Sequence, residues 1–410
     1  TSEQDLRTAA RTDLTSFGHP FDETRFARGL DLRRAATSYL AHEDDTPVGA
    51  CLVHDFEMTV PGTATVALAG VADVGVLPSH RRRGVLSAMV DRMLADAARS
   101  GKVAAGLHAS EATIYGRFGF GAATRHRKVS IPTARARLRT DVDVAPGRVE
   151  VAHPEGRPDS LRPIHEQAMG RRPGEVRRLP QRWATRLAGD DGDEPKMLCL
   201  LHRDPDGTPD AYALYRVVED WAPAGPDHTL ELQELVALHD PAELAMWQAL
   251  LSMDLVATVV AWLPADSILF DALEDSWAPH TIGEHDGLWL RLLDVPTALE
   301  SRRYRVAGSL VLDVADPRAP DGSRTAGTWR LDVRDDGSAG LSEVPTAPSG
   351  EGPRVDLRLG VAELASVWLG GGSFARLHSV GRCEEATPGA ARRADAIFGW
   401  WPTPWITEFF

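Results

Sequence analysis

Residues 73–87 read Asp73-Val74-Gly75-Val76-Leu77-Pro78-Ser79-His80-Arg81-Arg82-Arg83-Gly84-Val85-Leu86-Ser87. An apolar strand runs into a proline, an arginine-rich turn and a glycine that opens an amphipathic helix. Such a turn leaves backbone N–H groups unpaired at a helix N-terminus, where they can hold a phosphate. Arg81, Arg82 and Arg83 add charge that matches a pyrophosphate and suits bidentate contact. There is no Walker lysine, so the ligand that fits is the pyrophosphate of coenzyme A. The expected chemistry is acyl transfer from a thioester.

A second constellation, His108-Ala-Ser110-Glu111-Ala-Thr-Ile-Tyr115, follows at the end of the next strand pattern. An amine that attacks a thioester must lose a proton, and the departing thiolate must gain one. A tyrosine, with a pKa of about 10, is a suitable acid toward that thiolate, and its ring can equally serve only to pack on the cofactor. The backbone N–H groups of Val74–Val76 can polarise the thioester carbonyl. Asp73 precedes that strand and can offer a carboxylate to a cationic amine. Asp73 reads equally as a solvated strand-end aspartate, and His108 reads as a packing or polar-network residue more than as a base.

The elements that must position these groups alternate along the first third of the chain. Residues 24–40 look helical and 48–59 extended, and 65–69 and 71–76 read as two short strands. An apolar stripe of Val85, Met89, Val90, Met93, Leu94 and Ala97 predicts a helix over 84–100. A strand at 103–108, a short helix at 111–118 and a strand at 127–131 complete this unit. Residues 138–149 read as a linker. The segment after it repeats the alternation, with a strand at 230–238 and a helix at 242–251 but no Arg-x-x-Gly turn, so a duplicate there has lost cofactor binding. Beyond about residue 295, strand patterns separated by Asp/Gly turns suggest an α+β domain. Its last helix is expected at 388–398, with Thr387 as cap and Pro388 in the first position. The tail, Trp400-Trp401-Pro-Thr-Pro-Trp405-Ile-Thr-Glu408-Phe409-Phe410, is too apolar for a frayed end.

Composition sets outer limits. The 410 residues predict two or three domains. A net charge of −14 disfavours nucleic acid as a partner and suits a cationic substrate. Three cysteines, far apart and without metal spacing, argue against a disulfide framework or a metal site and for a reducing cytoplasm. The longest apolar stretch, 247–263, is interrupted by Asp254, so no membrane span is expected.

The two motifs together make the chain resemble the Eis (enhanced intracellular survival) family of acetyltransferases. Arg81-x-x-Gly84 follows the Arg/Gln-x-x-Gly-x-Gly/Ala signature of GNAT acetyltransferases, with Leu86 where a small residue is usual. The match extends through Ala109-Ser-Glu111, Ile114-Tyr115-Gly-Arg-Phe118-Gly and Asp286-Gly-Leu-Trp-Leu-Arg291 to the aromatic tail. The resemblance implies a mixed α+β and α/β chain of tandem GNAT folds, the second degenerate, followed by a sterol-carrier-protein-like α+β domain. The boundaries expected are 1–145, 146–294 and 295–410. It implies acetyl-CoA as cosubstrate, held by Val74, Gly75, Val76, Arg81, Arg82, Arg83, Gly84, Val85, Leu86, Ser87, Ser110 and Glu111. It implies Tyr115 as general acid and the terminal carboxylate of Phe410 as general base. The acceptor implied is a cationic amine, aminoglycoside-like or a polyamine, meeting Asp73, His108, Trp405, Glu408 and Phe409. It further implies a homo-hexamer built as a dimer of trimers. Best-known members carry an acidic residue before the last phenylalanine. Here Phe409 is penultimate, which suggests an acceptor with a larger flat or apolar part. Two other readings are a protein-lysine acetyltransferase and a degenerate lipid- or small-ligand-binding protein.

Overall fold

A computed structural model describes residues 2–152, 158–188, 197–223, 225–345 and 354–410. The chain opens with α1 (Glu3–Ser16) and α2 (Glu23–Arg34), then β1 (Thr37–Glu43), β2 (Thr46–Thr59), β3 (Thr65–Val76), α3 (Val85–Arg99), β4 (Ala104–His108), α4 (Ala112–Tyr115) and β5 (Gly121–Ala122). Next come β6 (Arg125–Pro132), β7 (Arg148–Ala152), α5 (Pro158–Ala168), α6 (Pro180–Ala188), β8 (Leu198–Arg203), β9 (Pro209–Val218) and a small ladder of β10 (Trp221–Ala222) with β11 (Gly225–Pro226). They are followed by β12 (His228–Ala237), α7 (Asp240–Leu251), β13 (Val256–Leu263), α8 (Leu269–Ala272) and β14 (His280–Asp286). The remainder is β15 (Leu288–Leu292), α9 (Val295–Ser301), β16 (Gly308–Ala315), β17 (Gly327–Val333), β18 (Ala339–Glu343), β19 (Leu357–Gly360), α10 (Val361–Trp368), α11 (Phe374–Ser379), β20 (Cys383–Glu385) and α12 (Ala390–Phe398).

The chain divides into two compact units. The first comprises 1–124, 172–177 and 286–410 and holds two sheets, β1-β2-β3-β4-β15-β5 and β18-β17-β16-β19-β20. The second comprises 125–171 and 178–285, around the sheet β14-β6-β13-β12-β9-β8-β7. Strand membership therefore does not follow chain order. The strand expected at 127–131 lies in β6 and pairs antiparallel with β13, in the second sheet. The place it would have taken in the first sheet is filled by β15, which pairs with β4 through Leu288↔His108 and Leu290↔Gly106 and with β5 through Leu290↔Gly121.

Three local expectations are corrected. Residues 24–40 are not one helix: α2 stops at Arg34 and β1 begins at Thr37, where Thr37-Ser38-Tyr39 favours extended backbone. Residues 65–76 form one strand carrying a bulge. The last helix starts at Ala390 behind Gly389, which sits at φ +81°, so Thr387 and Pro388 lie in the turn before it.

In the first unit, two helices cover opposite faces of the six-stranded sheet. A Cβ placed on Gly49 would meet Val85 and Met89 of α3, whereas one on Gly75 would meet Ser16 and Asp13 of α1. Gly75 pairs with Ala50, and Gly70 pairs with His54. Alternation along β2 therefore puts Ala50, Leu52, His54 and Phe56 on the α1 face, and Cys51 and Val53 toward α3. The α3 face is the apolar core, with Cys51, Val53, Ala69, Val71, Val90, Met93, Leu94, Leu107, Tyr115 and Phe118 in one cluster.

Candidate active site

Two features of β3 make a cleft. Its pairing with β4 is parallel but covers only Leu68–Gly70 against Ala104–Gly106. Beyond that point no strand among the described residues pairs with the β4-side edge of β3 from Val71 to Val76, so the backbone groups on that edge are available to a ligand. Opposite, Ala50 pairs with Gly75 and Leu52 with Ala72, which leaves Asp73 and Val74 facing Cys51 alone. This two-against-one bulge, with Asp73 at φ +50°, takes a residue out of the ladder and re-aims the strand.

The open edge leads into the arginine turn. Pro78–His80 form a single 3₁₀ turn, Arg82 has φ +61°, and Gly84 caps α3 at φ +86°. No side chain caps the first turn of α3, and no acidic residue stands in it, so its N–H groups are left for an anion. The three arginines differ in engagement. Arg81 donates from Nη2 to the Ser16 carbonyl at 2.8 Å and from Nε to the Val76 carbonyl at 3.4 Å, which ties the turn to α1. Arg83 pairs with Glu43, which His80 also meets at 2.9 Å through Nε2. Arg82 has no such partner among the described residues.

Ser110 and Glu111 are exposed ahead of α4, and Glu111 occupies its cap position with extended backbone. Tyr115 ends that helix, buried in the α3-side core with its ring edge-on to Phe120 at 5.9 Å. Burial pushes its phenol up to about 12, with the negative charge of Glu111 acting in the same direction. It therefore remains protonated across the neutral range.

The tail arrives on the other face. A Cβ on Gly70 would stand 2.4 Å from the Phe56 ring and 3.2 Å from that of Phe410, so only glycine lets the two rings lie on the strand. Those rings pack at 4.8 Å, and His108 meets Phe410 edge-on at 5.2 Å and Phe409 at 4.5 Å. His108 Nε2 stands 3.2 Å from the Glu408 carbonyl oxygen. Glu408 is buried, and Phe409 is 70% exposed. Upstream, Trp405 N–H donates to the Pro173 carbonyl at 2.9 Å. Thr407 N–H donates to Oε2 of the buried Glu175 at 3.0 Å, while Val176 N–H donates to Oε1 at 3.1 Å. Asp73 is engaged by Arg33 at 2.8 Å and does not present an uncompensated carboxylate.

Comparisons with known proteins agree with this geometry. Residues 1–123 and 174–306 each match an acetyltransferase (GNAT) domain family, and 295–407 match a sterol carrier protein domain. An uncharacterized N-acetyltransferase of Streptomyces griseus is 36% identical over 420 residues, spanning 98% of this chain and 96% of that one. The N-acetyltransferase Eis of Mycobacterium tuberculosis is 32% identical over 367 residues, spanning 86% and 83%. The crystal structure of Eis1 from Mycobacterium abscessus superposes with a TM-score of 0.83 at 31% identity, covering 100% of this chain and 98% of its own.

The chain belongs to the Eis family of GNAT N-acetyltransferases.

Membership makes this Eis-family chain an acyltransferase with acetyl-CoA as the implied cosubstrate. The open β3 edge and the turn before α3 are the features of this structure that fit that donor. The second GNAT unit repeats the open edge, since β12 pairs with β13 only as far as Leu232 and bulges at Gln233, but it lacks the turn. Its helix α7 starts three residues after β12, is capped by the side chain of His239, and carries Asp240 and Glu243 in its first turn. Those charges repel an anion where the first unit attracts one. Sequence reading missed α1 entirely, with Asp13 on it, and also missed Glu175 and Phe56. No motif marks them, because each matters only through contacts distant along the chain.

Proposed function

We propose that this enzyme transfers acetyl from acetyl-CoA directly to a primary amine of a cationic small molecule, aminoglycoside-like or a polyamine. The observation that carries the reading is the gap between β3 and β4. It separates an α3 face holding the phosphate turn and Tyr115 from an α1 face holding His108 and the tail. The amine nitrogen attacks the thioester carbonyl carbon, the C–S bond breaks, and the thiolate takes the Tyr115 proton. The proton lost by the amine goes to the Phe410 carboxylate, and backbone N–H groups at the bulge receive the oxyanion. None of the three buried cysteines is used, and burial holds Cys51 up at about 12. The same reading carries the homo-hexamer, which light scattering measures.

Amine-dependent thiol release from acetyl-CoA, run against aminoglycosides, polyamines, lysine peptides and aromatic amines, tests the reaction. Turnover confined to lysine peptides overturns the small-molecule acceptor. Tyr115→Phe is expected to lower kcat by about 10²-fold with acetyl-CoA affinity kept. Adding one glycine after Phe410 displaces the carboxylate and is expected to cost a similar factor. Unchanged turnover in the extended chain overturns the terminal base.

A further inference from the structure

Asp13 is a buried carboxylate that the reaction above leaves unused. It lies near the C-terminal end of α1, is 8% exposed, and its Oδ1 is fully enclosed without accepting a hydrogen bond. An enclosed carboxylate oxygen without a donor costs folding free energy, and such violations gather where a ligand supplies the missing partner. Its position is set by Gly75: a Cβ there would stand 3.1 Å from the Asp13 Cα and 2.2 Å from Ser16 Oγ. Glycine thus brings Asp13 against β3 directly after the Asp73–Val74 bulge. This is the sheet face that carries His108 and Phe410.

The charges around it are incomplete. Asp13 and Asp73 face Arg33, with a weaker influence from Arg25. Arg33 already bonds Asp73 at 2.8 Å, so Asp13 has no cation of its own. Burial, followed by the charge of Asp73, pushes its carboxyl up to about 7. One added ammonium would balance the group. Arg33 comes from α2, which rests on α1 through Phe26 against Leu6 and Ala10 and through the Arg7–Glu23 and Arg34–Glu3 pairs. Because Oδ1 is enclosed, an ammonium reaches it only with a local movement of this packing.

We propose that Asp13 is an anchor for the acceptor: its Oδ1 receives a hydrogen bond from an ammonium of the bound polyamine other than the one being acetylated. The proposal deepens the amine-acetyltransferase reading and rests on it for the identity of the ligand. It makes the acceptor an amine with at least two cationic centres, one at Asp13 and one at the thioester.

The test uses the full chain and its D13N and D13L variants, with spermidine and kanamycin as probes in calorimetric titrations without acetyl-CoA. A charge-assisted hydrogen bond of this kind predicts a Kd about 10- to 100-fold weaker in D13N. Both variants are expected to melt at or above the wild type at pH 8 and to keep acetyl-CoA binding. The proposal is overturned if the wild type binds neither amine or if D13N binds them as the wild type does. It is also overturned if the variants melt lower and lose acetyl-CoA together with amine, which marks a structural carboxylate. Failure of the broader reading looks different. Amines that bind through Asp13 without any thiol release leave the anchor standing and remove the transfer reaction. Brisk thiol release with an unchanged amine KM in D13N does the reverse.

Discussion

Arg82→Ala removes the one arginine of the turn without a protein partner and is expected to weaken acetyl-CoA about 10-fold, with a loss that shrinks in high salt. Arg81→Ala acts by another route, releasing the Ser16 and Val76 carbonyls, so its expected signature is a lower Tm beside the weaker binding. Thermal shift with and without acetyl-CoA separates the two. The titration of Asp13 gives a further prediction. Folded Asp13 keeps its proton to about 7, whereas an ordinary aspartate releases it near 3.8. The folded state therefore binds the extra proton between those values, and this residue's contribution to stability declines as pH rises through that window. D13N should flatten the difference in melting temperature between pH 5 and pH 8. At this scale the turn and the helix start were legible in advance, because they occupy one contiguous stretch, whereas the bulged strand beside them was read as two short strands. The acceptor face was legible only through the family resemblance, which named His108, Glu408, Phe409 and Phe410. Asp13 and Glu175 come from distant segments and stand in no motif.

Elements of the C-terminal region are aimed by a buried cation. Arg302 is fully enclosed and donates to the Trp368 carbonyl ending α10 and, at 2.6 Å, to the Phe398 carbonyl ending α12. Its guanidinium also lies 4.5 Å from the Tyr304 ring centre. Two helix C-termini thus supply the negative partial charge that a carboxylate would otherwise provide. Burial lowers the Arg302 pKa to about 10, which leaves it charged at neutral pH. Arg302→Met orphans both carbonyls and should cost about 2–4 kcal/mol, read from denaturant unfolding. The tail departs from α12, so its path is set there and held by Glu175 further on. Glu175→Gln forfeits one of two accepted N–H bonds and is expected to reduce kcat more than the KM for amine, with acetyl-CoA affinity unmoved. A kcat equal to that of the wild type removes Glu175 from the positioning of the tail. Helix periodicity had marked α3, where one apolar stripe meets the sheet. The first helix escaped because Thr12, Asp13 and Ser16 stand on its inner face, and polar side chains do not advertise burial.

On the scale of the whole molecule, each GNAT sheet contains a strand that the chain order assigns to its neighbour. A fragment ending at residue 145 would carry β6 without β13 and would lack β15, leaving the edges of β4 and β5 bare. Expressed alone, that fragment is expected to be insoluble or molten, with poor chemical-shift dispersion, although it includes every residue of the donor cleft. Among the described residues no helix is long and apolar enough to cross a membrane. The exchange of strands also bears on how such a protein changes over generations. A duplicated copy that no longer grips a nucleotide is ordinarily free to decay and be deleted. Here the second GNAT sheet shelters β6, and the chain must traverse that sheet before β15 can return to the first. Deleting either GNAT segment would therefore strip a strand from the sheet of the other, so the exchange ties the two halves into one inherited unit.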